Sequence, residues 1–125
     1  MSKCILLLII LAIFTGCKLT EDDLNSIQIS NVNLSLVNDG TFEGSYADIK
    51  SGRNARVSVI IKNHKIMEVD ILEFSASPVG RKGKYVIKSV IKQQSINVDA
   101  VSGATISSNI LLKSIENALL KGYAD

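Results

Sequence analysis

The stretch RVSVIIKNHKIMEVDIL, Arg56 to Leu72, decides the fold. Val57, Val59 and Ile61 alternate with Arg56, Ser58 and Ile60, the period of a strand with one face turned inward. Lys62-Asn63-His64-Lys65 interrupts the run, and Ile66, Val69 and Ile71 then resume it. Asn and His tolerate positive φ better than most residues, so Asn63-His64 reads as a two-residue hairpin turn. His64 is the only histidine in the chain, and it has no partner histidine with which to hold a metal. It reads as a solvent-facing turn residue rather than an acid, base or ligand.

Outward toward the N-terminus, Asn38-Asp39-Gly40 is a strong turn, followed by the short strand Thr41–Tyr46. Gly44 interrupts that strand, as glycine does at a bulge or a close backbone approach. Before the turn, Ile27, Ile29, Val32, Leu34 and Leu36 alternate imperfectly, a possible first strand. Toward the C-terminus, Ser75 to Lys84 carries the only proline, two glycines and the cations Arg81, Lys82 and Lys84. It reads as a loop whose charges are solvated or meet an anionic ligand. Val86, Ile87, Val90 and Ile91 then show helical spacing within Tyr85–Gln94. A last helix begins at or just after Thr105. Leu111, Ile115, Ala118 and Leu119 form its apolar face, with Ile110 and Leu112 at the edges. Lys113, Glu116, Asn117 and Lys121 lie on the opposite surface, and Gly122 is the stop. The expected class is α+β, a small antiparallel sheet with two helices.

A chain of 125 residues, 46% hydrophobic and 21% charged, has room for one small domain. A formal net charge of +2, spread without a basic stripe, argues against a nucleic-acid surface. Three Tyr, three Phe and no Trp leave little for base stacking.

Much of the hydrophobicity sits at the start. Lys3 precedes the apolar run Cys4–Phe14, which closes on Thr15-Gly16-Cys17. That run is about half the roughly 20 residues a spanning helix needs, so it matches an export signal instead. Thr15-Gly16-Cys17 looks like a bacterial lipoprotein box, with Phe14 where Leu is usual. In that pattern Cys17 is lipidated and becomes the first mature residue. An ordinary signal peptide, or an uncleaved anchor, is the alternative. The expected division is therefore 1–16 signal, 17–38 tether with a possible strand, and 39–125 folded domain. Lys3 is the only charge before Cys17, so the mature chain is nearly neutral. Attachment to a membrane would rest on the lipid rather than on a basic patch.

The segment VDAVSGATISSNILL, Val98 to Leu112, gathers Ser102, Gly103, Ala104 and Thr105 where the last helix begins. A helix N-terminus offers unpaired N–H groups and the positive end of the macrodipole, a natural seat for phosphate. Gly103 and Ala104 leave the backbone open, and Ser102, Thr105, Ser107 and Ser108 add hydroxyls. Two readings stand side by side here: a phosphate or anion cradle, or a helix simply capped by Ser102 or Thr105.

Asp99-Ala100-Val101-Ser102-Gly103-Ala104-Thr105, followed by Ser107, resembles the flavinylation motif of FMN-binding domains. Such domains occur in the flavinylated subunits of the sodium-translocating NADH:quinone reductase and of the related Rnf complex, and in small exported lipoproteins. Asp39-Gly40-Thr41-Phe42-Glu43-Gly44 is similar to the family's opening, and the hairpin Val57–Ile71 to its central strands. The resemblance implies that a flavin transferase takes FMN from FAD and joins its phosphate to Thr105. Asp99, Ser102, Gly103, Ala104 and Ser107 would be the motif around that acceptor. It further implies an extracytoplasmic, lipid-anchored electron carrier with no catalytic or metal site of its own. A flavin-dependent reductase of a small molecule, or a binding lipoprotein without redox chemistry, are the other readings.

Overall fold

The computed structural model describes residues 27–123. The signal segment, Cys17 and the acidic tether lie outside the described residues. Three strands form one antiparallel sheet in the order β1-β2-β3: β1 (Gly40–Asp48), β2 (Arg53–Lys62) and β3 (Lys65–Phe74). Helix α1 (Val86–Gln93) and helix α2 (Thr105–Lys121) follow. The architecture is α+β, as the sequence predicts.

The hairpin is built as its pattern requires. Asn63 and His64 take φ of 53° and 60°, both in the left-handed region, which matches the right-handed twist of the flanking strands. Asp39 Oδ1 accepts from the Asn63 N–H at 2.9 Å, tying the turn to the start of β1. His64 is exposed, as expected, with Nδ1 3.1 Å from the Val37 carbonyl oxygen. Ala55, Val57, Val59 and Ile61 of β2 are buried on one face. On the other face Arg56 bridges Glu43 of β1 and Glu73 of β3, at 3.3 and 3.2 Å.

Helix α2 covers the inner face. Ile110, Leu111, Leu112, Ile115, Ala118 and Leu119 are all essentially inaccessible. Each large aliphatic side chain buried there contributes about 1.5–3 kcal/mol. The helix crosses β1 at Gly44, where a Cβ would stand 2.1 Å from the Ser114 carbonyl oxygen and 2.3 Å from the Ala118 nitrogen. Gly44 therefore marks a close backbone approach. Helix α1 ends in Gln94, which adopts φ 52° as its C-cap. The Gln94 amide accepts from Ile66 N–H at 2.7 Å and donates to Ile66 O at 3.0 Å, clamping α1 to the free edge of β3.

Three expectations are corrected. Residues 27–36 do not form a strand; they run irregularly over the core, with one 3-10 turn at Leu34–Leu36. The Asn33 side chain accepts from Ser35 N–H there, offering the backbone a local bond in place of a strand ladder. Part of the expected loop Ser75–Lys84 is a 3-10 helix, Gly80–Tyr85. Glu116 is buried rather than surface-facing. It accepts from Ser30 N–H at 2.9 Å and pairs with Lys113 at 2.6 Å, so the N-terminal segment is pinned over it. Gly122 ends α2 as the sequence predicts, with φ −89°, so positive φ is not why glycine stands there. A Cβ would meet the Phe42 ring at 2.7 Å and Val37 at 2.8 Å, and close packing is the reason.

Candidate functional site

Residues 101–104 form a turn that runs straight into α2. Ala104 N–H donates to Val101 O at 2.9 Å, and Gly103 has φ +80°, the geometry of a type II turn with glycine at its third position. Ala104 is buried, which favours a small side chain. Ser108 is fully buried and is spent inside the fold. Its hydroxyl donates to Ala104 O at 2.7 Å and accepts from Val101 N–H at 3.0 Å. It offers nothing to a ligand, contrary to the expectation from sequence.

The capping explanation does not hold either. The N-cap of α2 is Ala104, and no side chain caps the helix. Ser102 and Thr105 are exposed, and their hydroxyls have no hydrogen-bond partner among the described residues. The N–H groups of Thr105, Ile106 and Ser107 find no acceptor among the described residues, and the first turn carries no acidic residue. The positive end of α2 is thus left open, and anions are favoured there.

Two recesses flank Thr105. One, of about 310 Å³, is lined by Arg53, Ser77, Gly80, Gly103, Ala104, Thr105, Ile106 and Ser107. The other, of about 460 Å³, is lined by Ile27, Asp48, Lys50, Ser51, Thr105, Ile106 and Asn109. In the second, Asp48 Oδ2 accepts from the Ser51 hydroxyl at 2.6 Å and from its N–H at 3.1 Å. The Ser51 hydroxyl is the main reason the Asp48 carboxyl is held below its ordinary range, with the Ser51 N–H second.

Two glycines seat the 3-10 helix against α2, and one of them, Gly80, lines the first recess. A 3-10 helix has three residues per turn, so Gly80 and Gly83 lie one above the other. At Gly83 a Cβ would come within 2.9 Å of Ser108 N and 3.0 Å of Ser107 C. The 3-10 helix therefore lies directly on the first turn of α2.

Of the residues expected from sequence, Gly103, Ala104, Thr105 and Ser107 share this recess, while Asp99 and Ser102 are exposed and line neither recess. Arg53, Ser77 and Gly80 join them without having been foreseen. The spacing Gly80-x-x-Gly83 is a usable signal for a 3-10 contact; nothing in the sequence marks Arg53, on another strand. The conspicuous basic residues, Arg81, Lys82 and Lys84, are exposed and line neither recess.

The family model for the FMN-binding domain matches residues 51–120, which contain both strands of the hairpin, the 3-10 helix and nearly all of α2. The chain belongs to that family and is a flavin-binding protein. No curated protein matches it at a significant level.

Proposed function

We propose that this protein is an exported, lipid-anchored flavoprotein that carries FMN as a phosphoester on Thr105 and passes electrons outside the cytoplasmic membrane. The observation that carries the reading is the state of Thr105. It stands exposed at the first position of α2, its hydroxyl serving no cap, beside three unpaired N–H groups. Membership in the FMN-binding domain family and the motif Asp99–Thr105 support the cofactor and the acceptor.

The residues present suit a phosphate monoanion. The attachment step balances with FAD as the donor. The Thr105 Oγ1 attacks the flavin-side phosphorus, the Oγ1–P bond forms and the pyrophosphate P–O bond breaks. AMP leaves with the electron pair, and the threonine proton passes to a base on the transferase. A threonine hydroxyl is a poor nucleophile at neutral pH, so that base has to come from the partner enzyme. The diester keeps one negative charge, which the end of α2 favours by about 0.3–1 kcal/mol where exposed. When bound, the flavin supplies the redox chemistry. The chain fixes it through one bond and needs no enclosing pocket. The Thr15-Gly16-Cys17 box supports the anchor, with Cys17 as the lipidated residue.

The test is the intact mass of protein matured in cells that supply a flavin transferase. The expected mass exceeds that of the lipidated chain by FMN less one water, and the flavin stays with the chain after denaturation. Thr105→Ala loses all of that flavin, and Cys17→Ala loses the lipid while keeping the flavin. Covalent flavin persisting in Thr105→Ala would overturn the acceptor.

A further inference from the structure

Three polar groups from separate elements converge beside Gly80. A Cβ there would lie 2.5 Å from Ser107 Oγ, 3.1 Å from Ser77 Oγ and 3.2 Å from Arg53 Nη1. Because residue 80 has no side chain, these atoms face the recess that Thr105 also lines. Ser107 is 1% exposed, and its hydroxyl has no partner among the described residues. Ser107 lines the recess, and its hydroxyl can donate there to a ligand acceptor.

Arg53 points the same way. Two of the chain's arginines lie three residues apart on β2 and differ in their partners. Arg56 is held by Glu43 and Glu73, whereas among the described residues Arg53 has no carboxylate partner and its guanidinium donates only to Ser77 Oγ, at 3.4 Å. It is half-buried, with its backbone N–H held by Ser51 Oγ at 3.3 Å. A half-buried guanidinium with no counter-ion among the described residues, lining the recess beside an open helix N-terminus, is suited to bind a phosphate oxygen.

We propose that Arg53, Ser77 and Ser107 form the seat of the flavin phosphodiester, with Arg53 as its positioning residue and Gly80 keeping the seat open. The inference rests on Thr105 as the acceptor, and it assigns the charge recognition to Arg53, which lies outside the flavinylation motif. The seat holds the phosphate in one orientation and so fixes the direction in which the flavin leaves Thr105.

The experiment uses flavin-loaded protein with Arg53→Gln, Arg53→Lys and Gly80→Ala variants. Circular dichroism confirms that each variant is folded, and Arg53→Lys keeps the charge if Arg53→Gln does not fold. The phosphorus NMR shift of the diester is the primary readout, with flavin fluorescence anisotropy beside it. In Arg53→Gln and Gly80→Ala the shift is expected to move toward that of denatured protein and the anisotropy to fall. Arg53→Lys is expected to restore part of both. A loaded Arg53→Gln with the wild-type shift and anisotropy would overturn the seat.

If wild-type protein fails to load, the acceptor reading has failed, and the seat is then tested alone with free FMN and riboflavin on the unloaded chain. A charge-assisted contact predicts tighter binding of FMN by about tenfold, lost in Arg53→Gln. Equal binding of the two by wild type would overturn the seat in that case.

Discussion

Helix α2 meets the rest of the molecule through glycine at both ends, with opposite results. Near its C-terminal half, Gly44 lets the strand backbone touch the helix backbone, and the seam is buried and filled. At its N-terminus, Gly80 leaves a polar recess beside Thr105, and Gly103 has nothing within 4 Å of where its Cβ would be. The same residue type closes one junction and opens the other. The first joins sheet to helix; the second leaves helical N–H groups and a guanidinium available to an anion.

The largest effect should come from breaking the closed end. Gly44→Ala puts a methyl group where Ser114 O and Ala118 N now stand, and neither backbone atom can yield without moving α2. Overpacking usually costs about 1–3 kcal/mol, and a backbone clash lies at or above the top of that range, so a loss of about 3 kcal/mol or more is expected. Urea denaturation measures it. A Gly44→Ala midpoint within error of wild type would mean that this seam does not hold the helix.

The open end should respond differently. Gly103→Ala introduces no clash, and only its φ of +80° resists the substitution. A left-handed position costs a non-glycine residue about 1–2 kcal/mol. The expected loss is therefore smaller than at Gly44, and it falls on the turn that presents Thr105. Global stability drops by about that amount in denaturation, and under the proposed attachment at Thr105 covalent flavin incorporation drops as well. Undiminished loading by Gly103→Ala would show that the transferase does not read the turn's conformation.

This contrast explains what is legible in the sequence. The hairpin is readable because alternation and turn chemistry are local: Val57, Val59 and Ile61, then two residues suited to positive φ. The amphipathic faces of α1 and α2 are readable for the same reason. The motif also places Thr105 at the helix start. What escapes are matters of long-range placement. Glu116 looks like a surface residue because the helical pattern cannot reveal that the N-terminal segment lies across it. The imperfect alternation of Ile27–Leu36 suggests a strand, yet Ile27, Ile29, Val32 and Leu34 pack on the core as a covering segment and Leu36 is exposed. Arg53 is far from Thr105 along the chain, so only the fold brings it to the recess, and the more conspicuous Arg81, Lys82 and Lys84 belong to a different surface. The hydroxyls of the motif are visible, but not their division of labour. Ser108 serves the fold, Ser107 faces the recess and Thr105 is free.

The smallest effect tests whether charge matters only at the open end. Asp48 belongs to the β1–β2 turn and lines the second recess beside Thr105. Its carboxyl is held below the ordinary range chiefly by the Ser51 hydroxyl, then by the Ser51 N–H, with Lys50 adding through its N–H and charge. A depressed carboxyl stabilises the folded state above its unfolded pKa of about 3.9, and that contribution disappears as pH falls through the lower folded value. The turn should therefore weaken only below about pH 4, while the Gly44 seam, which contains no titrating group, stays as it is. NMR offers the comparison directly. The Ser51 amide shift is expected to titrate below the normal carboxylate range, with Ala118 unchanged, and Asp48→Asn should remove the titration. Unaltered acid titration of Ser51 in Asp48→Asn would assign it to another group. In either outcome the two ends of α2 are separated by what holds them: contact between backbones at Gly44, and charge with hydrogen bonds around Thr105.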